Sequence, residues 1–306
     1  MRILVFGAGS IGSFFGGLLS RKYDVTLFGR KKHMDEIKKN GLKITGKTNN
    51  VFYPKTATKI SGKYDLIILT VKAYDTKKSM EILKPIIDSN TGILSLQNGL
   101  GNEEIIANSL KNRVFSSGNI GVLRGITNHG VIFVKPGEIH HSGMGETVIG
   151  EIDGKKTERI KKICSMFNNV GIKTKISKNI EKDVWAKTIV NSAINPVTAI
   201  TGLKNGYLLK IPELKRFMRR ICLEGVRVAN KSGFFFDSDV FEETKKTASL
   251  TAENKSSMLQ DLQNRKKTEI DFINGAIAKI GKRHGVETPL NNMLTALVKA
   301  LEKMDV

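Results

Sequence analysis

The chain has 306 residues, 40% of them hydrophobic and only 6 of them proline, which suffices for two ordinary cores and excludes wholesale disorder. Its formal charge is +21 with 7% aromatics, but the lysines are scattered as pairs between apolar residues, so attraction of anionic metabolites is a more economical reading than specific nucleic-acid binding. Apolar runs such as "LIILTV" (66–71) fall far short of the ~20 residues of a membrane span; no signal-peptide layout opens the chain, and Cys164 and Cys222 lack the spacing of a disulfide framework or zinc site, which fits a reducing cytoplasm.

In chain order, residues 2–6 ("RILVF") read as a strand, 10–21 as a helix and 25–28 as a second strand. Between the first two, Gly7, Gly9 and Gly12 form G-x-G-x-x-G. The first glycine permits a tight turn, the second lets backbone approach a pyrophosphate, and the third lets helix pack on strand. In this strand–turn–helix setting the motif is strong, and the cradle comprises Gly7, Ala8, Gly9, Ser10, Ile11 and Gly12. The alternative is a glycine-rich turn with no ligand. After the second strand come Gly29, Arg30, Lys31 and Lys32 rather than a carboxylate. A guanidinium pairs with a 2′-phosphate where a carboxylate would repel it, so NADP(H) is expected over NAD, against the plainer reading of a solvated basic loop.

Residues 65–71 read as a buried strand ending at Lys72, and 93–96 as another ending at Gln97, Asn98 and Gly99. In an open parallel sheet ligands lie beyond the carboxyl ends of strands, although Asn-Gly is also ordinary turn chemistry. The stretch 114–150 reads as the tail of the sheet, partly antiparallel. His140 and His141 fit strand ends better than ligands, since no partner lies at metal spacing. Residues 171–177 complete the strands. The period then changes, with helices expected over 180–200, 211–233, 239–248, 254–284 and 290–303. The boundary is placed there: residues 1–176 as a dinucleotide-binding domain and 177–306 as a helical one.

Within the first of those helices Lys187, Asn191 and Asn195 recur every fourth residue. Each step of four advances only ~40° about the axis, so they form a narrow polar line on an apolar helix. Pro196 removes a backbone donor and frees carbonyls near Asn191 and Ser192. A line facing solvent between buried flanks is the competing reading. Asn254 and Ser257 are expected together on one face at a helix start. Glu269 follows about 3.3 turns later; by pattern alone it is better read as a surface salt bridge with Lys266 or Lys267.

Taken together, the motifs resemble the ketopantoate reductase family over essentially the whole chain: the glycine motif at 7–12, "VKAYDT" at 71–76, "QNGLGNEE" at 97–104, "WAKTIVNSAINPVTA" at 185–199, "NKSSMLQD" at 254–261 and "KKTEIDFINGAI" at 266–277. The resemblance implies an α/β chain: a Rossmann-type dinucleotide-binding domain followed by an all-helical domain like that of 6-phosphogluconate dehydrogenase. It further implies NADPH-dependent reduction of ketopantoate in cytoplasmic pantothenate and coenzyme A synthesis. By the same resemblance Arg30 and Lys72 meet the adenosine 2′-phosphate, and Lys187 is the catalytic lysine with Glu269 close by. Asn98, Asn191, Asn195, Asn254 and Ser257 contact substrate, and Asn98 and Glu269 also lie at the cofactor. The segment "SSGNIGVLRG" (116–125) departs from the family's threonine- and alanine-rich pattern, which bears on the nicotinamide loop. Reduction of another 2-keto acid and non-catalytic NADPH sensing are the rival functions. No metal is implied, and the oligomeric state is left open, a homodimer included.

Overall fold

Strand-forming residues occur as short, nearly unbroken apolar runs, a pattern that suits a sheet covered on both faces. The computed structural model describes residues 1–111 and 121–304; residues 112–120, where part of the nicotinamide-loop expectation falls, lie outside the described residues. Contacts divide the chain into two units: Met1–Gln97 with Asn102–Glu181, and the residues from Lys182 onward together with Asn98–Gly101.

The first unit contains β1 (Arg2–Phe6), α1 (Ser10–Leu19), β2 (Asp24–Phe28), α2 (Lys31–Asn40), β3 (Leu42–Gly46), β4 (Asn50–Phe52), β5 (Lys55–Ala57) and β6 (Leu66–Leu69). There follow α3 (Thr76–Leu83), β7 (Gly92–Ser95), α4 (Asn102–Leu110), β8 (Val122–Thr127), β9 (Gly130–Lys135), β10 (Glu138–Gly143), β11 (Thr147–Glu151), α5 (Glu158–Asn168) and β12 (Thr174–Ile176). Eight strands form one sheet in the order β12-β11-β8-β7-β6-β1-β2-β5. All its pairings are parallel except β8 with β11. The winding reverses between β1 and β6, the switch point at which such sheets bind ligands. Alternation sends Ile3, Val5, Ile68 and Leu94 to one core with α1 and α5, and Leu4, Phe6, Ile67 and Ile93 to the other with α3 and α4.

The segment expected to be the sheet's tail does two things. Strands β8 and β11 extend the main sheet, but β9 and β10 join β3 and β4 in a separate sheet, ordered β4-β3-β10-β9. The reason lies in α1, which is apolar nearly all round: Phe14, Phe15, Leu18 and Leu19 are all buried. The main sheet covers only one side of it, and Leu42, Ile44 and Phe52 of the small sheet close against Gly17 on another. Burying each phenylalanine contributes roughly 1.5–3 kcal/mol, which favours the second layer.

The second unit is helical: α6 (Ile180–Thr201, starting two residues before the division), α7 (Tyr207–Lys210), α8 (Pro212–Lys231), α9 (Val240–Leu250), α10 (Ser257–Gln263), α11 (Asn274–Arg283) and α12 (Pro289–Leu301). Gly225 lets α8 approach α6, since a Cβ there would stand 2.8 Å from Ile189 Cγ1. The single helix expected over 254–284 is instead α10, a 3₁₀ turn at Ile270–Phe272, and α11. Arg265, at φ +51°, ends α10: Lys266 N donates to Asp261 O and Arg265 N to Leu262 O. This is the left-handed helix stop that glycine usually provides.

Candidate active site

In the first unit, a Cβ on Gly7 (φ +108°) would fall 2.6 Å from Val71 N, and one on Gly12 would fall 2.3 Å from Gly7 O. The β1–α1 turn therefore closes tightly on itself and on the end of β6. A Cβ on Gly9, by contrast, meets nothing within 4 Å among the described residues. Gly9 caps α1 with no side chain over the helix start and no acidic residue in the first turn. Ala8 is buried behind it and Ser10 and Ile11 are half-buried. Open space in front of unscreened helix-start amides fits a dinucleotide's pyrophosphate.

Arg30 follows β2, is exposed, and occupies the N-cap position of α2. Neighbouring Lys31 is held by Asp35 at 2.6 Å. Lys72 is half-buried and opens a 3₁₀ turn at Ala73–Asp75 after β6. Beneath it lies a polar network that sequence reading missed. Arg124, 1% exposed, donates from Nη1 to Ser95 Oγ at 2.8 Å, and Ser95 Oγ donates to Gln97 Oε1 at 3.0 Å. Gln97 Nε2 reaches Val71 O at 3.0 Å and Thr76 Oγ1 at 2.8 Å. These bonds lock together the segments that follow β6 and β7. Arg124 sits in an ordinary strand, and nothing local to it signals the role.

The helical unit holds the rest. On α6, Asn195 is buried, whereas Lys187 and Asn191 are half-buried, so the polar line does not simply face solvent. The helix's hydroxyls are engaged by its own backbone: Thr188 donates to Val184 O at 2.7 Å and Ser192 to Ile189 O at 2.8 Å. Asn254 lies in the loop before α10 rather than on its first turn, and Ser257 is the exposed first residue of that helix. The anchor is Ser256, the N-cap, whose Oγ accepts from Leu259 N at 3.1 Å and from Thr198 Oγ1 of α6 at 2.7 Å. Asn254 O accepts from Asn205 N at 3.0 Å.

Glu269 is 6% exposed, a buried carboxylate rather than the surface one its pattern favours. It caps the 3₁₀ turn at Ile270–Phe272. Thr268 before it is fixed to α12, donating from N and Oγ1 to Glu302 Oε1 at 2.7 and 2.6 Å. Asn98 Nδ2 lies 3.5 Å from Glu269 Oε2, and Leu100 N donates to Phe272 O at 2.9 Å. The turn after β7 thus belongs by contact to the helical unit.

The family model described as "Ketopantoate reductase PanE/ApbA" matches residues 3–154, and that described as "Ketopantoate reductase PanE/ApbA C terminal" matches residues 179–302. The chain belongs to the ketopantoate reductase family. A 2-dehydropantoate 2-reductase of Pyrococcus horikoshii is 43% identical over 306 residues, covering 99% of this chain and 98% of that protein. One from Archaeoglobus fulgidus is 37% identical, covering 98% of each. Among solved structures, a PanE/ApbA family ketopantoate reductase from Ralstonia eutropha JMP134 superposes with TM-score 0.88 at 28% identity, covering 99% of this chain and 98% of that one. A D-mandelate dehydrogenase solved with NADH and anilino(oxo)acetate gives 0.91 at 29% identity, with the same coverages.

Members of the ketopantoate reductase family are enzymes, and both halves of the fold expected from sequence are present here: a parallel α/β unit and a helical one. Burial raises both cysteine thiols, to about 11 at Cys222, so they are poor nucleophiles. Among the described residues no helix is long and apolar enough to cross a membrane, and no group of three or more His, Cys, Asp or Glu could hold a metal ion.

Proposed function

We propose that the protein is a cytoplasmic 2-dehydropantoate 2-reductase that uses NADPH to reduce ketopantoate to pantoate. NADPH, when held by the glycine turn, would supply the hydride needed at the C2 ketone. The chain's own contribution is to hold the substrate and handle charge on its oxygen. Lys187, as an ammonium, stabilises the negative charge growing on the carbonyl oxygen and donates the proton that completes the alcohol. Glu269 and Asn98 hold the polar environment of that lysine, Asn191 and Asn195 read the substrate's hydroxyl and keto oxygens, and Asn254 and Ser257 take its carboxylate. Gly7 to Gly12 cradle the pyrophosphate, with Arg30 and Lys72 on the 2′-phosphate. The observation that carries this reading is the tie of the Asn98 turn to the buried Glu269 and to Phe272. It brings together two motifs more than 150 residues apart in a chain whose family match spans both units.

NADPH oxidation in the presence of ketopantoate is the direct test. Lys187→Ala should lower kcat at least ~10²-fold, about 2.7 kcal/mol of transition-state stabilisation, while the Kd for NADPH stays the same. Near-normal turnover in that variant would refute the proton-donor role. The similarity to D-mandelate dehydrogenase favours one second reading, a reductase of a different 2-keto acid. Comparing ketopantoate with 2-oxoisovalerate and oxaloacetate separates the two.

A further inference from the structure

Pro196 lies inside α6 and opens its hydrogen-bond ladder at one defined place. An α-helix directs each N–H to the carbonyl four residues back, so the N–H of residue 196 would serve Ser192 O. Proline has no N–H, and its ring crowds that same carbonyl. Ser192 is fully buried, so water cannot replace the lost donor.

Asn274 replaces it. This residue, fully buried at the start of α11, donates from Nδ2 to Ser192 O at 3.0 Å and to Asn291 Oδ1 at 3.0 Å. Asn291, also fully buried, donates from Nδ2 to Glu224 Oε2 at 2.7 Å. Glu224 in turn accepts the backbone N–H groups of Leu290 and Asn291, each at 3.0 Å, at the start of α12. Four helices, α6, α8, α11 and α12, thus meet in one buried polar run that ends on a single carbonyl. Its direction is fixed, because turning the Asn274 amide over would set oxygen against two oxygens. That orientation leaves Asn274 Oδ1 buried without a hydrogen-bond partner among the described residues, a desolvation cost that a residue chosen for packing alone would not carry.

We infer that Asn274, aimed by Asn291 and Glu224, is a positioning residue for the Lys187–Asn191–Asn195 line. It fixes the α6 backbone at Ser192, between the two asparagines and about 1.4 turns beyond the lysine. The inference rests on the reading of Lys187 as proton donor. Ketopantoate, 2-oxoisovalerate and oxaloacetate are each assayed with NADPH, on wild type, Asn274→Ala, Pro196→Ala and the double variant, with Tm and NADPH Kd measured in parallel. Asn274→Ala should lower Tm and reduce kcat at least tenfold without changing the NADPH Kd. Restoring an N–H at residue 196 gives Ser192 O a donor within its own helix, so the double variant should regain Tm while kcat stays low. A kcat within twofold of wild type in Asn274→Ala, or one that recovers in step with Tm in the double variant, overturns the positioning role. If Asn274→Ala does not fold, Asn291→Leu removes the acceptor that aims Asn274 and is judged by the same tenfold loss of kcat at constant NADPH Kd. Turnover lost in Lys187→Ala but kept in Asn274→Ala sinks this inference alone. Turnover kept in Lys187→Ala sinks the proton-donor reading, and no wild-type turnover on any of the three acids sinks the proposed function together with the inference.

Discussion

A choice between NADPH and NADH depends on very few atoms, and in the function proposed above the side chain that tests it is Arg30. Lys31 beside it is already neutralised by Asp35, whereas the Arg30 guanidinium is exposed and forms no cap hydrogen bond at the start of α2. The Arg30 carbonyl accepts from His33 N at 3.0 Å and from Met34 N at 3.1 Å, so the backbone there is settled whatever the side chain. Aspartate is a favourable N-cap. Arg30→Asp should therefore keep or raise Tm while cutting the NADPH-over-NADH ratio of kcat/KM by roughly 10–100-fold, the value of one or two charge-assisted hydrogen bonds to phosphate. A ratio that stays the same would mean that the 2′-phosphate is read elsewhere.

At the scale of elements, the turn after β7 carries a comparable test. Gly99 and Gly101 both have positive φ, +82° and +84°, but their surroundings differ. A Cβ on Gly99 would stand 2.3 Å from Phe272 O, and one on Gly101 meets nothing within 4 Å among the described residues. Alanine at 101 adds only the left-handed strain, about 1–2 kcal/mol, whereas alanine at 99 also pushes the turn off the carbonyl that Leu100 N holds. Gly99→Ala should cost at least tenfold in kcat/KM and Gly101→Ala markedly less; equal losses would show that the contact with Phe272 does not hold Asn98 in place. The same turn marks a limit of sequence reading. Strands β1, β2, β6 and β7 and helices α6 and α8 stand within a residue or two of their expected ends, because sustained apolar runs and unbroken helical periods are local signals. The small sheet was not legible: β4 has three residues, and β3 finds its partner β10 about ninety residues later. The stop at Arg265 was hidden because glycine usually takes that conformation. At the candidate site the motif side chains were visible, while Ser256, Thr268, Arg124 and Asn274 were not, since each acts through a partner distant in sequence.

For the whole molecule, the response to acid depends on imidazoles buried beside α1. His33 is 4% exposed. Its Nδ1 accepts from Gly137 N at 2.9 Å, which leaves the proton on Nε2, 3.0 Å from Ser13 Oγ. Burial pushes its pKa down to about 4, and burial also lowers His141, whose ring centroid is 4.5 Å from that of Phe14. Between pH 6.5 and about 4 the folded protein therefore binds fewer protons at His33 than the unfolded chain does, and His141 shifts the balance in the same direction below pH 6.5. Their contribution to stability is complete above pH 6.5 and is lost as pH falls, at up to about 1.4 kcal/mol per pH unit for each fully shifted imidazole. Carboxylates act in a lower window. Lys55 holds Asp24 below its ordinary value and Lys175 does the same for Glu146, so their contributions fade only as pH drops through the carboxylate range near 4. Tm measured from pH 7.5 to 4.5 should thus fall before the carboxylates titrate. His33→Gln keeps an amide donor and acceptor but cannot ionise, so it should flatten the decline between pH 6.5 and 4.5 at an unchanged protein concentration. A slope identical to wild type would rule His33 out as its source.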